Sequence, residues 1–195
     1  GDMCRIRSTI QGGHRSWREL GRMNWICVTL MICVGFNPEM DYTNNDEFIE
    51  DVRACTLHLN ALHEEHERVP MNLVIAQAIH ESNWGKSRFA IEGNNLLGIR
   101  TFDPSDDQLK PLNVPNASWG LRIFETKCES IAYYMWLLNY NHNYSQFREE
   151  RLLQYINDIT DTKKLAMTLA IYAEDVYYTQ KIIRTLKKLE AYDRD

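Results

Sequence analysis

Apolar residues recur at three- and four-residue spacing through most of the chain, which predicts a protein built mainly from amphipathic helices. The first such run is Phe48, Val52, Cys55, Leu59, Leu62 and His66. A second helix is expected to start at Pro70, where the first helical turn needs no N–H donor, and its apolar residues on several faces predict a central position. Thr126 and Glu129 have capping-box spacing at the start of another helix. Three further helices are predicted near 145–158, 161–173 and 177–191.

The middle of the chain has a different pattern. Residues 93–124 carry most of the glycine and proline found after residue 42, together with several asparagines. They predict an irregular lobe with short strands near 96–101 and 121–124. The predicted fold class is therefore mainly α, with a small irregular or β-containing lobe inserted mid-chain.

The composition fits one medium-sized domain behind an N-terminal extension, since 44% of the 195 residues are hydrophobic. The extension is predicted to cover residues 1–42 and the domain residues 43–195. An apolar segment at 24–36 follows an arginine-rich arm. It is shorter than the roughly 20 residues that span a bilayer, but its length suits a secretory signal. This segment predicts export or a membrane tether, with a buried strand or helix as the alternative.

Charge, cysteines and histidines exclude several classes of partner. A net charge of -5 argues against nucleic-acid binding. Among the five cysteines, Cys55 and Cys128 can pair in an oxidising compartment, but their apolar-stripe positions favour free buried thiols. His63 and His66 enclose two glutamates with no third ligand evident, which favours a solvated helix face over a metal site. No metal or cofactor is expected.

Glu81 is the strongest candidate for chemistry. It closes the apolar run of the second predicted helix, and Trp84 follows it within one turn. A carboxyl beside an aromatic ring at the end of a buried helix is poorly solvated, which raises its pKa as a general acid for glycoside cleavage requires. Trp84 offers a face for a sugar ring, and the amides of Asn94 and Asn95 can pair with hydroxyl or N-acetyl groups.

Three ordered motifs carry a family resemblance. The first contains Ala76-Gln77-Ala78, Glu81-Ser82, Trp84-Gly85 and Gly93-Asn94-Asn95, and the others lie within 124–148 and 172–182. Together they resemble the Bax and FlgJ group of glucosaminidases, in glycoside hydrolase family 73, over about 46–190. The resemblance implies a lysozyme-like α fold, peptidoglycan glycan strands as substrate, and Glu81 as the general acid. Tyr172 resembles the active-site tyrosine of that family, and the same late motif contains Tyr178, a candidate substrate contact.

The chain departs from the family pattern at two places. Leu96-Leu97-Gly98 stands where the family usually has Leu-Phe-Gly, a packing variation. The second acid of the family, when present, lies in the small lobe, which is short here. The candidates in this chain are Asp103 and, as alternatives, Asp106, Asp107 and Glu125. Inverting, retaining and substrate-assisted mechanisms all stay open, the last with Tyr172 orienting the 2-acetamido group.

The predicted function is therefore an endo-β-N-acetylglucosaminidase that cleaves the β-1,4 bond after N-acetylglucosamine in peptidoglycan. A lytic transglycosylase or muramidase is the alternative among enzymes, and a non-catalytic glycan-binding module is the alternative from another class. A monomer is expected, exported to the cell envelope or periplasm, or encoded by a phage and acting there.

Overall fold

The structure, a computed structural model, describes residues 40–173 and 175–193. The predicted signal or anchor segment at 24–36 lies outside these residues. The last residues assigned to the extension pack on the domain, because Met40 is buried and the Tyr42 hydroxyl donates a hydrogen bond to the Gly85 carbonyl at 3.3 Å. The packed domain therefore includes residues 40–42, just before the predicted boundary.

Helix α1, Asn45–Asn60, carries most of the first apolar stripe. The side-chain oxygen of Asn44 caps it by accepting hydrogen bonds from two N–H groups of the first turn, each at 3.0 Å. The helix ends before the periodicity predicts, and Leu62, which is 43% exposed, lies beyond it. The Asn60 side chain accepts a hydrogen bond from the Val69 N–H at 2.9 Å and donates one to the Val69 carbonyl at 2.8 Å. These bonds turn the chain back after the helix.

Helix α2, Met71–Ser82, starts directly after Pro70, as predicted. Every side chain from 73 to 78 is completely buried, and the helix contacts both α1 and the last helix of the domain. Because a helix that is apolar on several faces needs neighbours on several sides, its central position follows from its composition. It ends at Asn83, which has the left-handed backbone conformation common at helix ends, with φ of 51°.

A short helix and a small sheet form the inserted lobe. Its elements are α3 (Arg88–Gly93), β1 (Arg100–Thr101), β2 (Gln108–Leu109) and β3 (Gly120–Arg122). The strands are antiparallel in the order β1-β3-β2, with Leu121 opposite both Arg100 and Leu109. Strands β1 and β3 fall in the two predicted regions. Strand β2 was not predicted, because two residues are too few to show a period and only pairing with β3 defines it.

The remaining helices complete the domain. They are α4 (Lys127–Tyr140), α5 (Ser145–Ile156), α6 (Thr162–Met167) and α7 (Tyr178–Tyr192). The Thr126 hydroxyl accepts a hydrogen bond from the Glu129 N–H at 3.1 Å, which confirms the predicted cap of α4. The helix predicted at 161–173 is shorter, since α6 ends at Met167 and a separate 3-10 turn, Ala170–Tyr172, follows it. The predicted fold class, mainly α with a small inserted lobe, is confirmed.

Cys55 and Cys128 form a disulfide that joins α1 to α4, with 5.8 Å between their Cα atoms. The prediction of free thiols is therefore wrong. Both residues are buried, as their apolar-stripe positions predict, but burial is equally compatible with a thiol and with a disulfide. The pairing depends on two helices meeting across a sequence separation of 73, which local spacing does not reveal.

The described residues contain neither a metal-binding cluster nor a membrane-spanning helix. No group of three or more histidine, cysteine, aspartate or glutamate side chains in residues 40–173 and 175–193 is arranged to hold a metal ion. Within the same residues, no helix combines the length and the apolar character that a membrane crossing requires. His63 and His66 lie beyond the end of α1, so they do not share the helix face that the sequence pattern predicts.

Candidate active site

The carboxyl group of Glu81 lies in the last turn of α2, against the backbone of the inserted lobe. A Cβ atom added to Gly98 would lie 2.8 Å from Glu81 Oε2, so only a glycine allows the two segments to approach this closely. Gly98 also has φ of +64°, the left-handed conformation that glycine adopts without a steric cost. The lobe therefore covers one side of the carboxyl.

Burial raises the pKa of Glu81 from 4.5 to about 7, while a hydrogen bond from Tyr178 and the positive charge of Arg100 lower it to a smaller extent. Desolvation prevails because a carboxylate taken out of water loses more hydration energy than one hydrogen bond and one nearby charge return. Arg100 itself stacks over the Trp119 ring, 4.4 Å from the ring centroid. An acid with a pKa near 7 can hold a proton at neutral pH and release it to a substrate.

Tyrosines form one wall beside Glu81. The Tyr178 side chain is buried and hydrogen-bonds with Glu81, and the Tyr172 ring stacks on it at a centroid distance of 6.0 Å. The Tyr172 hydroxyl donates a hydrogen bond to the Leu97 carbonyl at 2.6 Å, which holds the segment next to Gly98. Both tyrosines interact with Glu81, and Tyr178, the predicted substrate contact, is buried.

Two further tyrosines, not among the predicted site residues, belong to this wall. The Tyr134 ring meets the Tyr172 ring edge-on at 5.7 Å, and the Tyr144 ring lies 6.3 Å from it. Burial raises the pKa of both hydroxyls, and the charge of Glu81 raises it further. Four tyrosines therefore surround the acid on one side and keep their protons at neutral pH.

Gln77, which is not among the predicted site residues, connects this wall to α2. Its side-chain oxygen accepts a hydrogen bond from the Tyr134 hydroxyl, and its Nε2 donates one to the Tyr178 hydroxyl at 2.7 Å. The sequence does mark this residue: Gln77 is polar among apolar neighbours and lies four positions before Glu81, on the same helix face.

A tight turn directly after α2 holds Trp84. Asn83, Trp84 and Gly85 have φ values of 51°, 60° and 70°, three left-handed residues in succession. Non-glycine residues adopt this conformation only where surrounding contacts compensate its cost. Trp84 is partly buried, with its ring packed at 6.0 Å against that of Phe48 on α1. The ring of Trp84, the predicted sugar platform, is thus anchored against α1.

Asn94 and Asn95 hold the lobe to the helical part. The Asn95 side chain is buried, donates hydrogen bonds to the carbonyls of Ile99 and Arg122, and accepts one from the Ile99 N–H. The Asn94 amide donates to the Phe124 carbonyl at 3.0 Å and to the next carbonyl along the chain. Their amide hydrogens are therefore engaged within the protein, and the contacts support a structural role in place of the predicted contact with substrate.

The candidate second acids lie in or near the lobe, in different environments. Asp106 forms an ion pair with Arg122 and accepts a hydrogen bond from the Thr101 hydroxyl, which gives it a role in the sheet. Asp103 is exposed, and its carboxylate accepts hydrogen bonds from the Ser105 N–H and hydroxyl at 2.9 and 2.7 Å. Asp107 and Glu125 are exposed as well. Asp106 is therefore engaged by side chains of both β1 and β3.

The fold and this site define a mainly helical, lysozyme-like domain with a partly buried carboxylic acid at the end of its central helix. Residues 59–191 match the family Glucosaminidase, described as mannosyl-glycoprotein endo-beta-N-acetylglucosaminidase. This match covers more than half of the chain. The chain belongs to this family, and the resemblance that the sequence motifs predict is confirmed.

Two individual proteins are similar to the chain. Protein bax of Escherichia coli (strain K12) is 33% identical over 92 residues, which are 47% of this chain and 32% of that protein. The chain thus spans about a third of the length of this curated relative. The catalytic domain of the autolysin Auto from Listeria monocytogenes has a similar structure, with a TM-score of 0.56 at 18% identity, covering 94% of this chain and 100% of that one. The second likeness concerns the fold alone.

Proposed function

We propose that the protein is an endo-β-N-acetylglucosaminidase that hydrolyses the glycan strands of peptidoglycan, with Glu81 as the general acid. The observation that carries the proposal is the position of Glu81 at the junction of helix and lobe, where burial raises its pKa to about 7. Family membership supports the reaction class. The sequence motifs that resemble the Bax and FlgJ group of glucosaminidases support a role at the cell wall.

In this mechanism Glu81 donates its proton to the glycosidic oxygen as the bond to the anomeric carbon breaks. Positive charge then develops on the sugar ring, as in glycosidases generally. The Glu81 carboxylate that remains accepts the hydrogen bond of Tyr178 and faces the positive charge of Arg100, both of which stabilise its charged form. Trp84 is proposed to pack against a pyranose ring beside the acid.

The second group in the reaction is a separate part of the proposal. Asp103 remains the proposed second carboxylate, with Asp107 and Glu125 as alternatives, because Asp106 is held by Arg122 and Thr101. A substrate-assisted route is the other option, in which the acetamido group attacks the anomeric carbon. Azide distinguishes these routes in a variant that lacks the second carboxylate. If that carboxylate is the catalytic base, the small nucleophile restores turnover; in the substrate-assisted route it does not.

We also propose that the protein acts outside the cytoplasm, in the cell envelope or periplasm, as a monomer. The disulfide between Cys55 and Cys128 supports this location, since disulfides persist in oxidising compartments. The apolar segment at 24–36 supports export or a membrane tether.

The decisive experiment compares the wild type with Glu81→Gln on purified peptidoglycan. Glu149→Gln is the matched control, because Glu149 is an exposed carboxyl on α5. Removing a general acid is expected to lower the rate at least about 100-fold, whereas the control keeps it. Near-normal cleavage by Glu81→Gln would overturn the assignment of the acid.

Mass spectrometry of the released fragments tests the reaction itself. Reducing N-acetylglucosamine ends are expected. Anhydro-muramic ends would instead identify a lytic transglycosylase, and reducing muramic ends a muramidase. Binding to the wall without any new ends would identify a glycan-binding module.

A further inference from the structure

A buried row of polar groups runs through the tyrosine wall to Glu81. Gln77 is completely buried in the middle of α2, where an amide without partners would be costly. Both of its ends have a partner, because the Tyr134 hydroxyl donates to Oε1 and Nε2 donates to the Tyr178 hydroxyl at 2.7 Å. Tyr178 in turn hydrogen-bonds with Glu81.

The arrangement of donors and acceptors gives this row a direction. A tyrosine hydroxyl has a single hydrogen, so an N–H group that donates to its oxygen leaves that hydrogen for a different acceptor. Gln77 donates to Tyr178, and the hydrogen of Tyr178 is therefore available to Glu81. If the amide were reversed, Tyr178 would donate to Gln77 and present only oxygen lone pairs to the carboxylate.

Neighbouring contacts restrict the movement of these rings. Tyr172 stacks on Tyr178 with an interplanar angle of 14° and meets Tyr134 edge-on. Its own hydroxyl is bonded to the Leu97 carbonyl, beside the glycine that contacts Glu81. The row is thus packed on one side by a ring that the lobe holds in place, and Tyr178 has little freedom to turn away from Glu81.

We propose that Gln77 is a positioning residue of the reaction, which orients the Tyr178 hydroxyl so that it donates to the carboxylate of Glu81 when the proton has left. This inference rests on the proposed function and deepens it. The oriented hydroxyl stabilises the charged form of Glu81 and so limits the rise in pKa that burial causes. Without it, Glu81 becomes a weaker acid that holds its proton to higher pH.

Other groups also act on Glu81 and have to stay constant in a test. The titratable side chains that interact with it are Arg100 on β1, Tyr134 on α4, Tyr144 at the end of a 3-10 turn (His142–Tyr144), Tyr172 on the 3-10 turn after α6, and Tyr178 on α7. Gln77 carries no charge and does not titrate. A change in the pKa of Glu81 on replacement of Gln77 therefore reports a hydrogen bond rather than a lost charge.

The test measures the pKa of Glu81 by carbon-13 NMR of its side-chain carboxyl, with Glu81→Gln identifying the signal. Gln77→Met and Tyr178→Phe are each expected to raise this pKa by about one unit, the size typical of a lost hydrogen bond to a charged group. The double variant is expected to match Tyr178→Phe alone, since Gln77 acts through Tyr178. The alkaline limb of the kcat/KM profile is expected to move to higher pH by the same amount.

Two further variants keep the test decisive. Gln154→Met removes a buried glutamine on α5 that bonds to Glu150 and Asp161, and it is expected to lower stability without moving the pKa of Glu81. Gln77→Leu removes the amide without adding a charge, so a rise of about one unit is expected; this variant carries the test if Gln77→Met does not fold.

An unchanged pKa in both Gln77 variants would overturn the proposal. The proposal would also fail if the pKa shift of the double variant equalled the sum of the two single shifts, because Gln77 would then not act through Tyr178. The NMR titration requires no turnover. If the wild type cleaved no peptidoglycan, the proposed function would be refuted. The NMR titration would still show whether Gln77 affects the pKa of Glu81.

Discussion

Replacing Glu81 with glutamine is expected to stabilise the folded protein at alkaline pH while it abolishes activity. The folded protein holds Glu81 with a pKa of about 7, raised from 4.5 mainly by burial. In the unfolded chain the side chain regains its ordinary pKa, so it ionises there at lower pH than in the folded protein. Ionisation therefore favours unfolding. Glutamine has nearly the same shape and never ionises.

The expected size of the effect follows from the two pKa values. A raised pKa contributes stability that is complete below 4.5 and is lost as the pH rises through about 7. A difference from 4.5 to about 7, at roughly 1.4 kcal/mol per unit, corresponds to about 3 kcal/mol. Glu81→Gln is thus expected to have nearly the wild-type free energy of unfolding at pH 4.5 and about 3 kcal/mol more at pH 8.5.

Urea unfolding followed by circular dichroism at several pH values measures this difference. Glu149→Gln serves again as the control, because an exposed carboxyl on α5 is expected to show no comparable gain between the two pH values. If Glu81→Gln gained no stability over this range, the pKa of Glu81 would not be raised in the folded protein. The argument for Glu81 as a neutral-pH general acid would then fail.

Two further predictions concern the backbone around Glu81 and the disulfide. Gly98→Ala is expected to cost about 1 kcal/mol in unfolding free energy because of its positive φ, and to lower activity much more strongly because the methyl group would lie 2.8 Å from Glu81 Oε2. Gly93→Ala, whose tightest contact is the flexible end of a leucine side chain at 3.0 Å, is its control and is expected to keep activity. Replacing both Cys55 and Cys128 with alanine is expected to lower the unfolding free energy by about 4 kcal/mol in denaturation experiments, and an unchanged value would show that the bridge does not form.

Features that depend on neighbours along the chain were predictable. Helix α2 was expected from its apolar positions and from Pro70, and the cap of α4 from the spacing of Thr126 and Glu129. The raised pKa of Glu81 was expected from its place at the end of a buried helix, and burial is its largest cause. Such features are readable because helical periodicity and capping act within a few residues.

Features that depend on distant segments were not predictable in the same way. Cys55 and Cys128 were expected to be free, yet they pair across a separation of 73 residues. Asn95 was expected to contact substrate, but its side chain bonds to lobe backbone up to 27 positions away. The residues next to an asparagine or a cysteine in the sequence do not show which distant group its side chain will bond to.

Local patterns along the chain are enough to define a helical domain of the Glucosaminidase family with one acid at the end of its central helix. The surroundings of that acid depend on how distant segments pack. This packing brings the backbone of Gly98 against the carboxyl and the hydroxyl of Tyr178 beside it, with Gln77 behind. Local patterns do not reveal these contacts, because burial and hydrogen bonding act over a few ångströms in space, between groups that are as much as 101 residues apart in the chain.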